Sequence, residues 1–128
     1  MLSNSLTLHA NTNMEQIRDI IFYKDYFQQF YVEQTIEVRR KINYVFNIIQ
    51  TQQRVPVTFL RIIENEKGLY EIRVEFESNI YRIFCCFDDG NLVVLFNAFQ
   101  KKTQKTPAKE IEKARKLKEE YLKEKKER

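Results

Sequence analysis

The sequence predicts an α+β domain built from an N-terminal strand, a helical hairpin, an antiparallel β-meander and a C-terminal helix. Three observations carry that expectation. Apolar residues recur at helical spacing between residues 26 and 49, three strand-length apolar runs follow one another from Leu69 to Phe99, and a long amphipathic segment closes the chain after Pro107. The 128 residues suffice for one core, and a content of 43 % hydrophobic and 13 % aromatic residues suits a packed domain rather than a disordered chain.

Residues 1–13 are rich in Ser, Asn and Thr without a sustained period and read as a disordered extension, with Met14 a second candidate start and residues 14–128 the single domain. The only histidine, His9, falls in that extension, which makes it a poor general base. Ile17 to Tyr23 carries the β-branched and aromatic run Ile20-Ile21-Phe22-Tyr23, a strand. Tyr26, Phe27, Phe30 and Tyr31 then recur three and four apart, a helical stripe destined for the core. After Gln34-Thr35, a second helix shows Val38, Ile42, Val45, Phe46 and Ile49 on one face. So short a connection predicts an antiparallel helical hairpin laid on the sheet. The run Arg39-Arg40-Lys41 lies largely off the apolar face and reads as a solvated helix surface.

Val55-Pro56 stops the second helix, and Thr58 to Ile63, with Arg61 in its middle, is either a short strand or an extended approach to the sheet. A turn over residues 65–68 follows, with Gly68 able to supply a positive φ. In the first meander strand, Leu69–Phe76, Tyr70, Ile72, Val74 and Phe76 alternate with Glu71, Arg73 and Glu75, which predicts one buried and one polar face. The second strand, Ile80–Phe87, is apolar on both sides except for Arg82 and should be central, so its arginine must be paired or face a cleft. Asp88-Asp89-Gly90-Asn91 turns into the third strand, Leu92–Phe99. Thr106 is the expected N-cap of the last helix and Pro107 its first residue. Ile111, Ala114, Leu117, Tyr121 and Leu122 make its apolar stripe, and Lys123 to Arg128 are expected to fray.

The net charge of +4 is unevenly spread: from Gln100 onward there are 12 Lys/Arg against 6 Asp/Glu, while residues 1–99 are slightly acidic. With 2 Gly in the chain there is no glycine-rich phosphate loop, which excludes Walker-type NTPases. One tail histidine and two adjacent cysteines give no metal-ligand spacing and no nucleophile with a histidine partner. Cys85 and Cys86 point to opposite faces of a strand and read as core thiols. With no secretory signal and no spanning apolar run, a soluble cytoplasmic protein without a membrane partner is expected. What remains is a cationic surface of Arg73, Arg82, Lys101, Lys102 and Lys105, with Tyr70, Tyr81 and Phe99 close in sequence. Guanidinium forks grip phosphates and aromatic rings stack splayed bases, so such a surface suits RNA. Holding a phosphate in line and neutralising its charge also allows cleavage by the neighbouring 2′-hydroxyl without a metal. The bland alternative is a set of solvated strand and loop charges.

The ordered motifs Gly68-Leu69-Tyr70-Glu71-Ile72-Arg73, Tyr81-Arg82-Ile83-Phe84, Phe99-Gln100-Lys101-Lys102-Thr103-Gln104-Lys105-Thr106-Pro107 and Glu110-Ile111-Glu112-Lys113-Ala114 resemble the RelE/ParE toxin superfamily, in its phage-related, HigB-like branch. The resemblance spans residues 17–122. It implies a RelE-like fold and the toxin of a type II toxin–antitoxin pair. Such a toxin is a ribosome-dependent endoribonuclease that cuts mRNA without metal or cofactor and is held by a helix-turn-helix, HigA-like antitoxin. By motif, Arg73 and Arg82 would hold the scissile phosphate and Lys101 and Lys102 would supply charge or proton transfer. Tyr70, Gln100 and Lys105 would contact RNA. Relatives commonly carry His-Gly or Asn-Gly before the phenylalanine of the third motif, where this chain has Asn97-Ala98, so the general base is left unassigned. A ParE-like inhibitor of DNA gyrase and a non-catalytic RNA- or protein-binding module are the alternatives.

Overall fold

The computed structural model describes residues 15–102 and 106–128. The expected N-terminal extension with His9 and Met14, and the candidate RNA contact Lys105, lie outside the described residues. In chain order the elements are β1 (Asp19–Phe22), α1 (Tyr26–Val32), α2 (Ile36–Thr51), β2 (Leu60–Ile62), β3 (Tyr70–Phe76), β4 (Asn79–Asp88), β5 (Leu92–Lys101) and α3 (Ala108–Lys126). The α+β layout is the one the periodicities predict. The strands form one sheet in the order β1-β5-β4-β3-β2, antiparallel from β2 to β5, with β1 parallel to β5 at the far edge. Thr58 to Ile63 therefore contains an edge strand, and β4 is central as its two apolar sides require.

The helical hairpin covers one face of the sheet. All five stripe residues of α2 are buried, and with Phe27 they pack on Ile72, Val74, Ile83 and Leu95. Burial of each such side chain contributes roughly 1.5–3 kcal/mol. Thr35 caps α2 by accepting from the Val38 amide at 3.3 Å. The guanidinium of Arg18 closes the other end, donating to the carbonyls of Ile49, Gln52 and Gln53 at 2.9, 2.8 and 3.0 Å. Arg39 departs from the solvated role expected of its run. It is half-buried and donates to the carbonyls of Tyr31 and Val32, the last turn of α1, so it ties the hairpin together.

The other face is covered by α3, whose Ala114, Leu117 and Tyr121 pack on Phe84, Cys86, Val94 and Phe96. This corrects the expectation of one polar face on β3: Glu71 on that face is 6 % exposed. The α3 boundaries also differ from expectation. Pro107 occupies the N-cap and Ala108 the first helical position, and no Thr106 side-chain cap forms. The C-terminal turn is held where fraying was expected, because Lys125 donates to Asp88 and the Tyr121 hydroxyl donates to the same carboxylate at 2.6 Å. Leu122, assigned to the apolar stripe, is exposed at 41 %. At the opposite flank Arg115 grips Glu66 with two bonds of 2.9 and 2.7 Å, which fastens the β2–β3 turn, where Asn65 and Gly68 take φ of 63° and 73°.

Candidate active site

Directly opposed residues on neighbouring strands share a sheet face, so the register defines the site. Arg73 opposes Arg82, and Arg82 opposes Phe99, a row across β3, β4 and β5. Two residues farther along, Glu75, Ile80 and Lys101 align, because β5 runs to Lys101 rather than ending at Phe99. Two residues the other way, Arg61, Glu71 and Phe84 align. All three rows face the α3 side. The register of β4 and β5 shifts between Ile83 and Cys85, so Phe84 is opposed by both Phe96 and Asn97, a β-bulge. Asn97 is thereby turned under the first turn of α3, where its Nδ2 donates to the backbone carbonyl and the side chain of Glu110. The helix runs from that bulge to Asp88, so the arginine and lysine rows lie beyond its N-terminus. That end of a helix favours anions.

Arg82 is 4 % exposed and its Nη1 donates to Glu71 Oε2. The same oxygen accepts from Arg61 Nε at 3.1 Å. A buried guanidinium without such a carboxylate is strongly unfavourable, which explains why Glu71 is buried with it. The Nε–H of Arg82 finds no acceptor among the described residues. Arg73 is half-buried and pairs at 3.2 Å with exposed Glu75, a contact that solvent screens. Its own burial, and then the positive charges of Arg82, Arg61 and Arg73, hold the Lys101 ammonium below the usual lysine range.

The structure thus brings Arg73, Arg82 and Lys101 together with Phe99 and adds Arg61 and Glu71. Lys102 is exposed just past β5. Tyr70 is not on this face. Strand alternation turns it toward the helical hairpin, edge-on to Phe87 with centroids 4.8 Å apart. Gln100 is likewise turned away, opposing the core residue Tyr81 and donating to Asn79 Oδ1 at 3.2 Å. Of the aromatic residues expected near the cations, Tyr81 is core and only Phe99 shares their face, packed on Phe84 at 5.7 Å. Glu71 and Arg61 were legible only in part: a central-strand arginine demands a carboxylate, but the register chooses which one. Among the described residues, no three His, Cys, Asp or Glu cluster as metal ligands would, and no helix is long and apolar enough to cross a membrane.

The profile of the phage-derived Gp49-like family (DUF891) matches residues 29–119, a span that starts within α1, ends within α3 and takes in every strand of the cationic face. The chain belongs to the Gp49-like family. This is a RelE/toxin-like family, in agreement with the coarse kinship the motifs imply. No curated protein matches the chain significantly. In this Gp49-like chain the matched span holds Arg61, Glu71, Arg73, Arg82, Asn97 and Lys101, so the cationic face is part of the family domain.

Proposed function

We propose that this protein is the HigB-like toxin of a type II toxin–antitoxin pair, a cytoplasmic endoribonuclease that cuts mRNA on the ribosome. The observation that carries the reading is the row Arg73, Arg82, Phe99 with Lys101 and Arg61 beside it, a concentrated cationic face at the N-terminal end of α3. Held against that face, an RNA phosphate meets guanidinium groups that neutralise the charge gathering on its oxygens as the 2′-oxygen attacks. The 2′-hydroxyl loses its proton, the O2′–P bond forms, the P–O5′ bond breaks and O5′ takes a proton, leaving a 2′,3′-cyclic phosphate. Lys101, whose ammonium gives up its proton more readily than an ordinary lysine, is suited to one of those transfers. Lys102 adds charge at the rim, and a helix-turn-helix antitoxin is the partner that would restrain the activity.

The test is induction of the protein alone, followed by mapping of message ends. Growth arrest with translated messages cut at ribosome-bound positions is expected. Arrest with intact messages and inhibited DNA supercoiling would replace this reading with gyrase inhibition. In a purified ribosome assay, Arg82→Ala is expected to lower the cleavage rate on the order of a hundredfold with a smaller effect on ribosome affinity.

A further inference from the structure

Glu71 is hard to reconcile with a face built only to attract phosphate, since a buried carboxylate among the arginines repels the same anion through a poorly screening interior. Its contacts give it another role. One oxygen, Oε2, accepts from Nη1 of Arg82 and from Nε of Arg61, so two guanidinium groups are fixed from a single point on β3. In a planar guanidinium the Nε–H points away from Nη1 and lies parallel to an Nη2–H, and those two hydrogens form the fork that matches two oxygens of a phosphate. The Nε–H of Arg82 is the buried donor that finds no acceptor among the described residues. Its cross-strand neighbours Arg73 and Phe99 are only half-buried, which leaves an approach from their side.

We infer that Glu71 is a positioning residue: by occupying Nη1 of Arg82 it keeps the opposite, Nε–H edge of that guanidinium unpaired and oriented for one phosphoryl oxyanion. The carboxylate then acts through Arg82 and does not touch the ligand. Arg61, through its bond to the same carboxylate oxygen, keeps Glu71 partly neutralised and so limits its repulsion of the anion. The inference rests on the phosphoryl-binding part of the proposed function, and not on cleavage.

The experiment uses the full chain with isotope-labelled arginine, followed by side-chain NMR during titration with inorganic phosphate. In the wild type, separate Nη1 and Nη2 signals of Arg82 are expected because its rotation is hindered, and phosphate should shift its Nε–H signal. In Glu71→Gln the Nη signals should merge and the phosphate-induced shift should fall severalfold. An unchanged shift in Glu71→Gln, or none in the wild type, overturns the inference. In the ribosome assay Glu71→Gln should lower kcat about tenfold or more, through misplacement of Arg82. KM should stay unchanged or fall, since a negative charge has been removed from the RNA side. A lower melting temperature with wild-type kcat in the folded fraction means a merely structural role and also overturns it. If the wild type cuts no message while the Arg82 signals behave as described, cleavage falls and the positioning role stands. Should Glu71→Gln not fold, Glu71→Asp, which keeps the charge and shortens its reach, is read by the same criteria.

Discussion

Asn97 in the β5 bulge and Glu110 in the first turn of α3 are joined by two hydrogen bonds, both from Asn97 Nδ2 and both 3.1 Å, one to the Glu110 carbonyl and one to its Oε1. The bulge therefore sets where α3 begins, and so how much of the sheet stays uncovered for the arginine rows.

Asn97→Ala should lower stability by about 1–2 kcal/mol, the net worth of two partly buried hydrogen bonds. Asn97 Oδ1 has no partner among the described residues, and its removal offsets part of that loss. Urea unfolding measures the change, and hydrogen exchange should show faster amides in the first turn of α3 with the β4–β5 ladder still protected. Equal acceleration throughout would mean that Asn97 does not act locally.

Much of the fold was legible because each helix announces itself by its stripe: every α2 residue assigned to the core is buried. The strands were legible from alternation and from Asp89-Gly90, both of which take positive φ. Pairing partners were not. The β3–β4 turn is Glu77-Ser78, without glycine or asparagine, and this turn fixes Phe76 against Asn79 and hence Arg73 against Arg82. Without that register nothing in the sequence selects Glu71 over Glu75 or Glu77 as the partner of Arg82. The parallel pairing of β1 and the bulge at Asn97 also depend on tertiary contacts with β5 and α3. Alternation sets Tyr70 with Ile72 and Val74 and opposite Arg73, so the RNA contact that the resemblance implies for Tyr70 does not fall on the cationic face.

The same turn yields a stability prediction. Glu77 and Ser78 adopt φ of 50° and 71°, a left-handed conformation that costs a residue with a Cβ roughly 1–2 kcal/mol. Replacing the pair by Asn-Gly, the sequence that two-residue hairpins favour, should stabilise the protein by about 1 kcal/mol or more without moving the arginine rows. A higher unfolding midpoint with unchanged RNA affinity is the expected pair of results.

The thiols should be inert in the folded protein. Cys85 and Cys86 are both buried, one against each helical layer, and burial raises both. Cys86 is pushed up to about 11. Only about one such thiol in a thousand is thiolate at pH 8. Ellman's reagent should therefore report both thiols in denaturant and neither within minutes in native buffer, and rapid native labelling would show that this strand opens.

Acid stability should depend on Asp88. The hydrogen bond from Lys125, then that from Tyr121, holds its carboxyl below the usual range. A carboxyl lowered by folding contributes stability that is present above the unfolded-chain value, about pH 4, and that is lost as pH falls through the folded value. Asp88→Asn should be the less stable protein at neutral pH, and the gap should close below pH 4. Glu66, lowered by its bonds to Arg115, acts in the same direction and accounts for part of the remaining acid sensitivity. A gap that is constant from pH 6 to pH 2 in urea unfolding would exclude the ion pair as its source.

Lys101 allows the proposed chemistry to be tested by pH. Burial first, then Arg82, Arg61 and Arg73, lower its ammonium, so a larger share is neutral amine at a given pH than for a free lysine. If that amine accepts the 2′-hydroxyl proton, cleavage on the ribosome should rise with pH and level off at an apparent value below the ordinary lysine pKa of about 10.4. Arg61→Gln removes one of the positive charges that lower Lys101, so its folded value must move up and the rising limb must shift to higher pH. Lys101→Arg keeps the charge but cannot give up a proton near neutrality, so it should bind the ribosome normally and cut slowly, with no rising limb. A limb that stays in place in Arg61→Gln would assign the titration to another group, and a Lys101→Arg protein that cuts at the wild-type rate would leave Lys101 with a purely electrostatic part.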